Sequence, residues 1–176
     1  MRSRHIAYGC LLAIAVVASS PAKDVELKPG DVAPAHLGTT LEGKPVLVSD
    51  FPGKAVVVSY WASWCTFCVH ELALLSAIQS SASDRVQVVA VNVEPMYIFK
   101  KNLKGLSRFQ MLVIHDADRK AQKAYGVSGI PHMVIVGKDG RIDTVNIGYT
   151  EKELDGIVQS INHAIGAVPP TQSGST

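Results

Sequence analysis

The chain has 176 residues, 47% of them apolar and 18% charged, with three cysteines and six histidines. Seventeen basic against fifteen acidic residues leave a net charge of only +2, which lacks the electrostatic footprint of a nucleic-acid binder. The length fits one domain with a substantial core, and no internal repeat is visible.

Met1-Arg2-Ser3-Arg4-His5 precedes an apolar run from Ile6 to Ala18 and small residues through Ala22. A basic start, a short apolar stretch and a cleavage site at Ala18-Ser19-Ser20 or Ser20-Pro21-Ala22 describe a secretory signal peptide over residues 1–22. The alternative is an uncleaved anchor, for which the run is short. The rest of the chain is expected in the periplasm or otherwise outside the cytoplasm. Cys10 opens the apolar run, whereas a lipoprotein cysteine would follow it, so cleavage removes Cys10. The leader also takes Arg2 and Arg4 and no acid, leaving fifteen basic against fifteen acidic residues. A neutral mature chain suggests neither nucleic acid nor an anionic membrane as partner. Residues 23–165 are assigned to the domain, and the Pro/Ser/Thr/Gly-rich residues 166–176 to a disordered tail.

From Asp24 to Gly53 the chain is broken by Pro29-Gly30, Pro34, Glu42-Gly43 and Phe51-Pro52-Gly53. Ala35 to Leu41 and Pro45 to Ser49 can pair as a hairpin about Glu42-Gly43. Ala55-Val56-Val57-Val58-Ser59 then reads as a buried strand. It leads into Tyr60-Trp61-Ala62-Ser63-Trp64-Cys65-Thr66-Phe67-Cys68, after which Leu72, Leu75, Ile78 and Gln79 continue at helical spacing.

Cys65 thus falls at a helix N-terminus and Cys68 one turn in. A helix dipole is worth roughly 0.3–2 kcal/mol to a nearby anion, and a pKa unit is about 1.4 kcal/mol. The dipole alone can lower the Cys65 thiol by up to about one and a half units, and first-turn N–H groups add to this. Cys65 is the candidate attacking thiolate and Cys68 the candidate resolving thiol. Two plainer readings compete. Half a zinc site would need two more Cys or His at usable spacing, and no second CxxC or HxxxH exists. A structural disulfide would close almost no loop and gain little.

Val86 to Val93 is a second apolar strand, and strand, helix, strand of this length makes a right-handed parallel βαβ unit. Pro95 suits the first turn of a helix to Lys104, and Met111 to Ile114 is a short apolar run. Asp116 or Asp118 caps a helix through Tyr125 that stops at Gly126. Ile130 to Val136 and Ile142 to Ile147 flank Asp139-Gly140, a hairpin signal. Thr150 and Glu153 form a capping box, followed by an apolar stripe of Leu154, Ile157, Val158, Ile161 and Ile165. The fold class is α/β, a mixed sheet with helices on both faces.

Three blocks resemble the thioredoxin superfamily, in its secreted TlpA/ResA-like branch of thiol–disulfide oxidoreductases. They are Pro29-Gly30-Asp31 with Ala33-Pro34; Tyr60 to Cys68 with Glu71; and Tyr125-Gly126-Val127 through Gly129-Ile130-Pro131 into Lys138-Asp139-Gly140. The resemblance implies a thioredoxin-like fold with an N-terminal β-hairpin extension. It implies a redox-active Cys65–Cys68 disulfide and a cis peptide before Pro131, beside the cysteines, where the Ile130 backbone can pair with an extended substrate.

The family carries an acidic residue at Glu71, one turn after Cys68 and on its face. A carboxylate against apolar core has a raised pKa, and Glu71 can take the proton of Cys68 during resolution. The plain alternative is a glutamate on the helix surface. Phe67 and Ala73 stand where the family usually has proline. Neither Thr66 nor Phe67 adds a positive charge to stabilise a thiolate, which points to a potential of roughly −200 to −270 mV. Trp64 and Phe67 would form an apolar docking surface, while Trp61 packs inside. His132 is taken as a surface histidine unless it joins the cysteines. His70 is expected in solvent, and His36, His115 and His163 to be incidental.

The resemblance implies an enzyme that reduces disulfides of secreted proteins such as apocytochrome c, with a membrane thiol donor returning its electrons. It implies a monomer, and no cofactor or metal. A copper carrier using Cys65, Cys68 and His132 is a second class, although that family-type site spaces its cysteines further apart. A thiol peroxidase ranks last, because Ala62 stands where that family needs Thr or Ser.

Overall fold

A computed structural model describes residues 25–166. The leader assigned to residues 1–22, Cys10 and the tail beyond Gly166 lie outside the described residues. Among the described residues seven strands form one mixed sheet in the order β2-β1-β5-β4-β3-β6-β7. At its centre β3 (Ala55–Trp61) runs parallel to β4 (Val86–Asn92), and β4 parallel to β5 (Leu112–His115). On the other side of β3, β6 (His132–Val136) and β7 (Ile142–Ile147) continue antiparallel. The helices are α1 (Thr66–Ser81), α2 (Met96–Leu106), α3 (Lys120–Ala124) and α4 (Leu154–Ala164). Among the described residues no helix is long and apolar enough to cross a membrane.

Every residue of β3 is buried, which is why it reads as an unbroken β-branched run instead of an alternating one. Its alternation still sorts the core. Ala55 and Val57 meet Leu75 of α1 and Ile157 and Ile161 of α4. Val56, Val58 and Tyr60 meet Ala121 of α3 and the N-terminal Ala33 and Leu37. A third cluster at the C-terminal end of β3 joins Trp61, Cys65, Cys68, Leu72, Ala90 and Phe99.

The N-terminal hairpin forms as expected, β1 (His36–Thr39) against β2 (Pro45–Leu47). It is shorter than expected: Val48–Asp50 is a 3-10 turn, because the Asp50 carboxylate accepts the Leu47 N–H at 2.8 Å and winds the chain off the strand. Gly38 lets β1 lie close on β5, since a Cβ there would stand 2.8 Å from the His115 carbonyl oxygen. Asp116 takes the Ala121 and Gln122 N–H groups at 3.2 and 2.8 Å, capping α3 from outside it, and Gly126 follows its end at φ 66°.

Two expectations for the last helix change. Only half of the capping box forms: Glu153 Oε2 accepts the Thr150 N–H at 2.8 Å, and the Glu153 N–H turns to the Thr150 carbonyl oxygen at 3.0 Å. That makes Glu151–Glu153 a 3-10 turn ahead of α4. The apolar stripe is also narrower. Ile157, Ile161 and Ile165 are buried, whereas Leu154 and Val158 stay substantially exposed.

Candidate active site

The parallel strands β3, β4 and β5 end on one edge of the sheet, and the cysteine pair follows β3 there, where an open α/β sheet leaves room for a ligand. Beyond β3 the chain turns at Ala62, whose carbonyl oxygen accepts the Cys65 N–H at 3.1 Å. Cys65 is then the N-cap of α1, with extended backbone (φ −91°, ψ 97°). Its Sγ accepts the Cys68 N–H at 3.2 Å, which is the work of a capping oxygen done by sulfur. The two cysteines are joined as a disulfide, with Cα atoms 5.2 Å apart. Cys65 retains 7% exposure and Cys68 none, so an incoming thiol meets Cys65 first. The first turn of α1 carries no acidic side chain to oppose an anion on Cys65.

Glu71 shares the buried face of α1 with Cys68 and is wholly excluded from solvent, so the surface alternative is set aside. Ser59 of β3 donates its hydroxyl to Glu71 Oε1 at 2.6 Å. Among the described residues Oε2 has no partner. Burial pushes the Glu71 carboxyl up to about 7, and the Ser59 bond pulls partly against that rise. A carboxyl so poised exchanges a proton near neutral pH.

The loop before Cys65 is held by a carboxylate absent from the expectations. Glu94, just past β4, accepts the Ser63 N–H on Oε2 at 2.7 Å and the Ser63 hydroxyl on Oε1 at 2.8 Å. Asn92 donates to Glu94 Oε2 at 3.0 Å and accepts the Glu94 N–H at 2.9 Å. The buried His115 bonds the Glu94 carbonyl oxygen through Nε2 and stacks on Phe99 at 5.1 Å. His115 is therefore structural, not incidental.

The Ile130–Pro131 peptide is cis. Ile130 packs against the cluster that contains both cysteines, and among the described residues its N–H and carbonyl have no backbone partner. Trp64 and Phe67 stand 72% and 62% exposed, while Trp61 is buried.

His132 is a correction. It is buried, pairs with Tyr60 in the sheet and lies edge-on to that ring at 6.1 Å. Strand alternation puts Tyr60 and His132 on the face opposite Ser59 and Glu71, so His132 neither lies in solvent nor joins the cysteines as a ligand. Burial lowers its pKa. Among the described residues no group of three or more His, Cys, Asp or Glu is placed to hold a metal ion. His70 is exposed, His36 is half-buried, and His163 bonds Asp143.

Ser59 and Glu94 were detectable in principle. A lone hydroxyl inside an apolar strand needs a buried partner, and Glu94 sits at the end of a parallel strand that delivers residues to the site.

The Redoxin family profile matches residues 28–161. The chain belongs to the Redoxin family. Within the thioredoxin superfamily this Redoxin chain is ResA/TlpA-like, a redox enzyme of the thiol–disulfide oxidoreductase class with Cys65 and Cys68 as its pair. It is 28% identical over 134 residues to the thiol-disulfide oxidoreductase ResA of Bacillus thuringiensis (strain Al Hakam), covering 75% of this chain and 78% of that one. A Chlorobium tepidum structure described as a thiol:disulfide interchange protein of the DsbE type superposes with a TM-score of 0.71 at 26% identity, over 80% of this chain and all of that one. The exposed lipoprotein thioredoxin Etrx1 of Streptococcus pneumoniae TIGR4 gives 0.63 at 29% identity, over 73% and 97% of the two chains.

Proposed function

We propose that this enzyme works outside the cytoplasm as a dithiol reductant of disulfides in partner proteins. The observation that carries the proposal is the asymmetry of the pair: Cys65 caps the helix at the surface, while Cys68 is sealed beneath it with Glu71 on the same helix face. The Cys65 thiolate attacks one sulfur of a partner disulfide, forming a mixed disulfide and releasing the other sulfur as a thiolate. Glu71 takes the proton of Cys68, whose thiolate then attacks the Cys65 sulfur. The second partner sulfur leaves, the partner has gained two electrons, and the enzyme ends as the Cys65–Cys68 disulfide. A membrane thiol donor reverses that oxidation.

Trp64 and Phe67 supply an apolar platform for the partner, and the unengaged backbone of Ile130 beside the cis peptide takes its extended chain as an added strand. The pattern of residues 1–22 supports export, and resemblance to ResA-type proteins supports apocytochrome c as a partner. The enzyme acts as a monomer.

A Cys68→Ser variant expressed in the native compartment tests this. It should accumulate adducts on Cys65 that contain a cytochrome precursor or a membrane thiol protein and release them on reduction. Absence of any Cys65 adduct overturns the proposal.

A further inference from the structure

The outward face of α2 carries cations that no carboxylate among the described residues neutralises; within the fold Lys104 serves the last turn of the helix and Arg108 lies over the Phe109 ring at 4.9 Å. Tyr97, Lys100, Lys101 and Lys104 are exposed on this helix, and Arg108 is exposed in the turn just beyond it. Spacings of three, four and seven residues from Tyr97 put the lysines on one stripe. The opposite side is already occupied, with Phe99, Leu103 and Leu106 packed into the cluster around the cysteines.

No acidic residue occurs between Glu94 and Asp116. Both of those carboxylates are buried and engaged, Glu94 by Ser63 and Asn92, Asp116 by the first turn of α3. Among the described residues none of the four cations takes part in an ion pair. Lys100 and Lys104, and Lys101 and Lys104, stand four and three residues apart on the helix, where like charges repel. A merely solvated helix mixes its signs; this one keeps cations alone, in a chain whose charges otherwise nearly balance.

The helix that carries the stripe also packs beside the cysteine pair, since Phe99, Leu103 and Leu106 share a cluster with Cys65 and Cys68. α2 begins two residues after Glu94, and Glu94 is hydrogen-bonded to Ser63, two residues before Cys65. The first cation, Lys100, stands four residues into α2 and Lys104 four residues further, about 6 and 12 Å along the axis at about 1.5 Å per residue.

We propose that this stripe is a docking surface for an acidic segment of the partner protein, lying beside the disulfide that Cys65 attacks. The proposal rests on the reductase reading above and adds to it the charge of the substrate. An anionic membrane is the competing occupant. The apolar side of α2 is spent in the core and Tyr97 is the one large exposed ring on this helix, so α2 offers no apolar face to insert among lipids, and its packing beside the cysteines favours a protein that is also the substrate.

The test uses two peptides that share one internal disulfide, one flanked by glutamates and its twin by lysines. The reduced enzyme should process the acidic peptide with about tenfold higher kcat/KM at low ionic strength. The difference should vanish in 1 M salt, where the screening length is about 3 Å. A combined Lys100→Gln, Lys101→Gln, Lys104→Gln, Arg108→Gln variant should lose the preference and keep its rate on a small uncharged aromatic disulfide. Equal kcat/KM for the twins at low salt overturns the inference, as does a preference that survives in the variant. Binding of phosphatidylglycerol vesicles through the same four residues, with the twins reduced equally, also overturns it and assigns the stripe to a membrane. Failure to reduce either peptide instead sinks the reductase reading itself.

Discussion

The Ser59 hydroxyl and the Glu71 carboxylate meet at 2.6 Å in the buried space between β3 and α1, on the helix face that also holds Cys68. Ser59 donates to the ionised carboxylate, so it holds the Glu71 pKa below where burial alone would put it. Ser59→Ala should move the Glu71 midpoint above about 7. Resolution of a Cys65 mixed disulfide, followed against pH, should then need more alkaline conditions, and Ser59→Thr should restore the wild-type profile. An unchanged profile in Ser59→Ala would remove the coupling.

Glu71 also ties stability to pH. Its folded pKa, about 7, lies above the ordinary 4.5, so between those values the folded state binds more protons than the unfolded chain. Stability therefore falls as pH rises through that window, by about 3–4 kcal/mol at about 1.4 kcal/mol per unit. His132 acts with the opposite sign. Burial depresses its pKa, so stability falls as pH drops below its ordinary 6.5. Urea unfolding of Glu71→Gln should show the decline with rising pH between about 4.5 and 7 removed and the decline with falling pH below 6.5 kept, while His132→Phe should show the reverse.

Glu94 holds the motif loop through three bonds to Ser63 and Asn92. Glu94→Ala leaves the half-buried Ser63 N–H and hydroxyl and the buried Asn92 amide without that acceptor, at up to about 1–3 kcal/mol for the buried amide and less for the Ser63 groups, which water can reach. Thermal unfolding should show that loss. The loosened loop should also slow Cys65 attack on a peptide disulfide, whereas Ser63→Ala should have a smaller effect because the Ser63 N–H bond survives.

Trp64 and Phe67 are mostly exposed, so replacing both with Ser should change stability by no more than about 0.5 kcal/mol each. If they form the platform for the partner, KM for a protein disulfide should rise several-fold, with the rate on a small disulfide unchanged. An equal fall on both substrates would place the pair outside recognition.

What was legible beforehand follows from how each residue signals. Val-rich β3 and β4, the turn at Gly43 and the cysteine spacing are local patterns, and local patterns are what a sequence displays. The placement of Glu71 came through family resemblance, because its helix position alone left burial or exposure undecided. His132 went wrong because its surroundings depend on which face of β6 meets Tyr60, a register set by strands far apart in the chain. Glu94 sits at the end of a strand that points to the site, but its bond to Ser63 spans 31 residues, so the partner is fixed only by the fold. The cation stripe on α2 lies in plain view in the sequence, but its nearness to the cysteines emerges only once β4 places Glu94 beside the motif loop.

The most direct measurement of the central claim is the alkylation rate of each thiol in the reduced enzyme as a function of pH. Cys65 should react first, with a midpoint below the ordinary 8.5 of a cysteine because it caps the N-terminus of α1, and Cys68 should stay protected. A Cys65 that titrates at the ordinary value, or a Cys68 that reacts faster, would contradict the account.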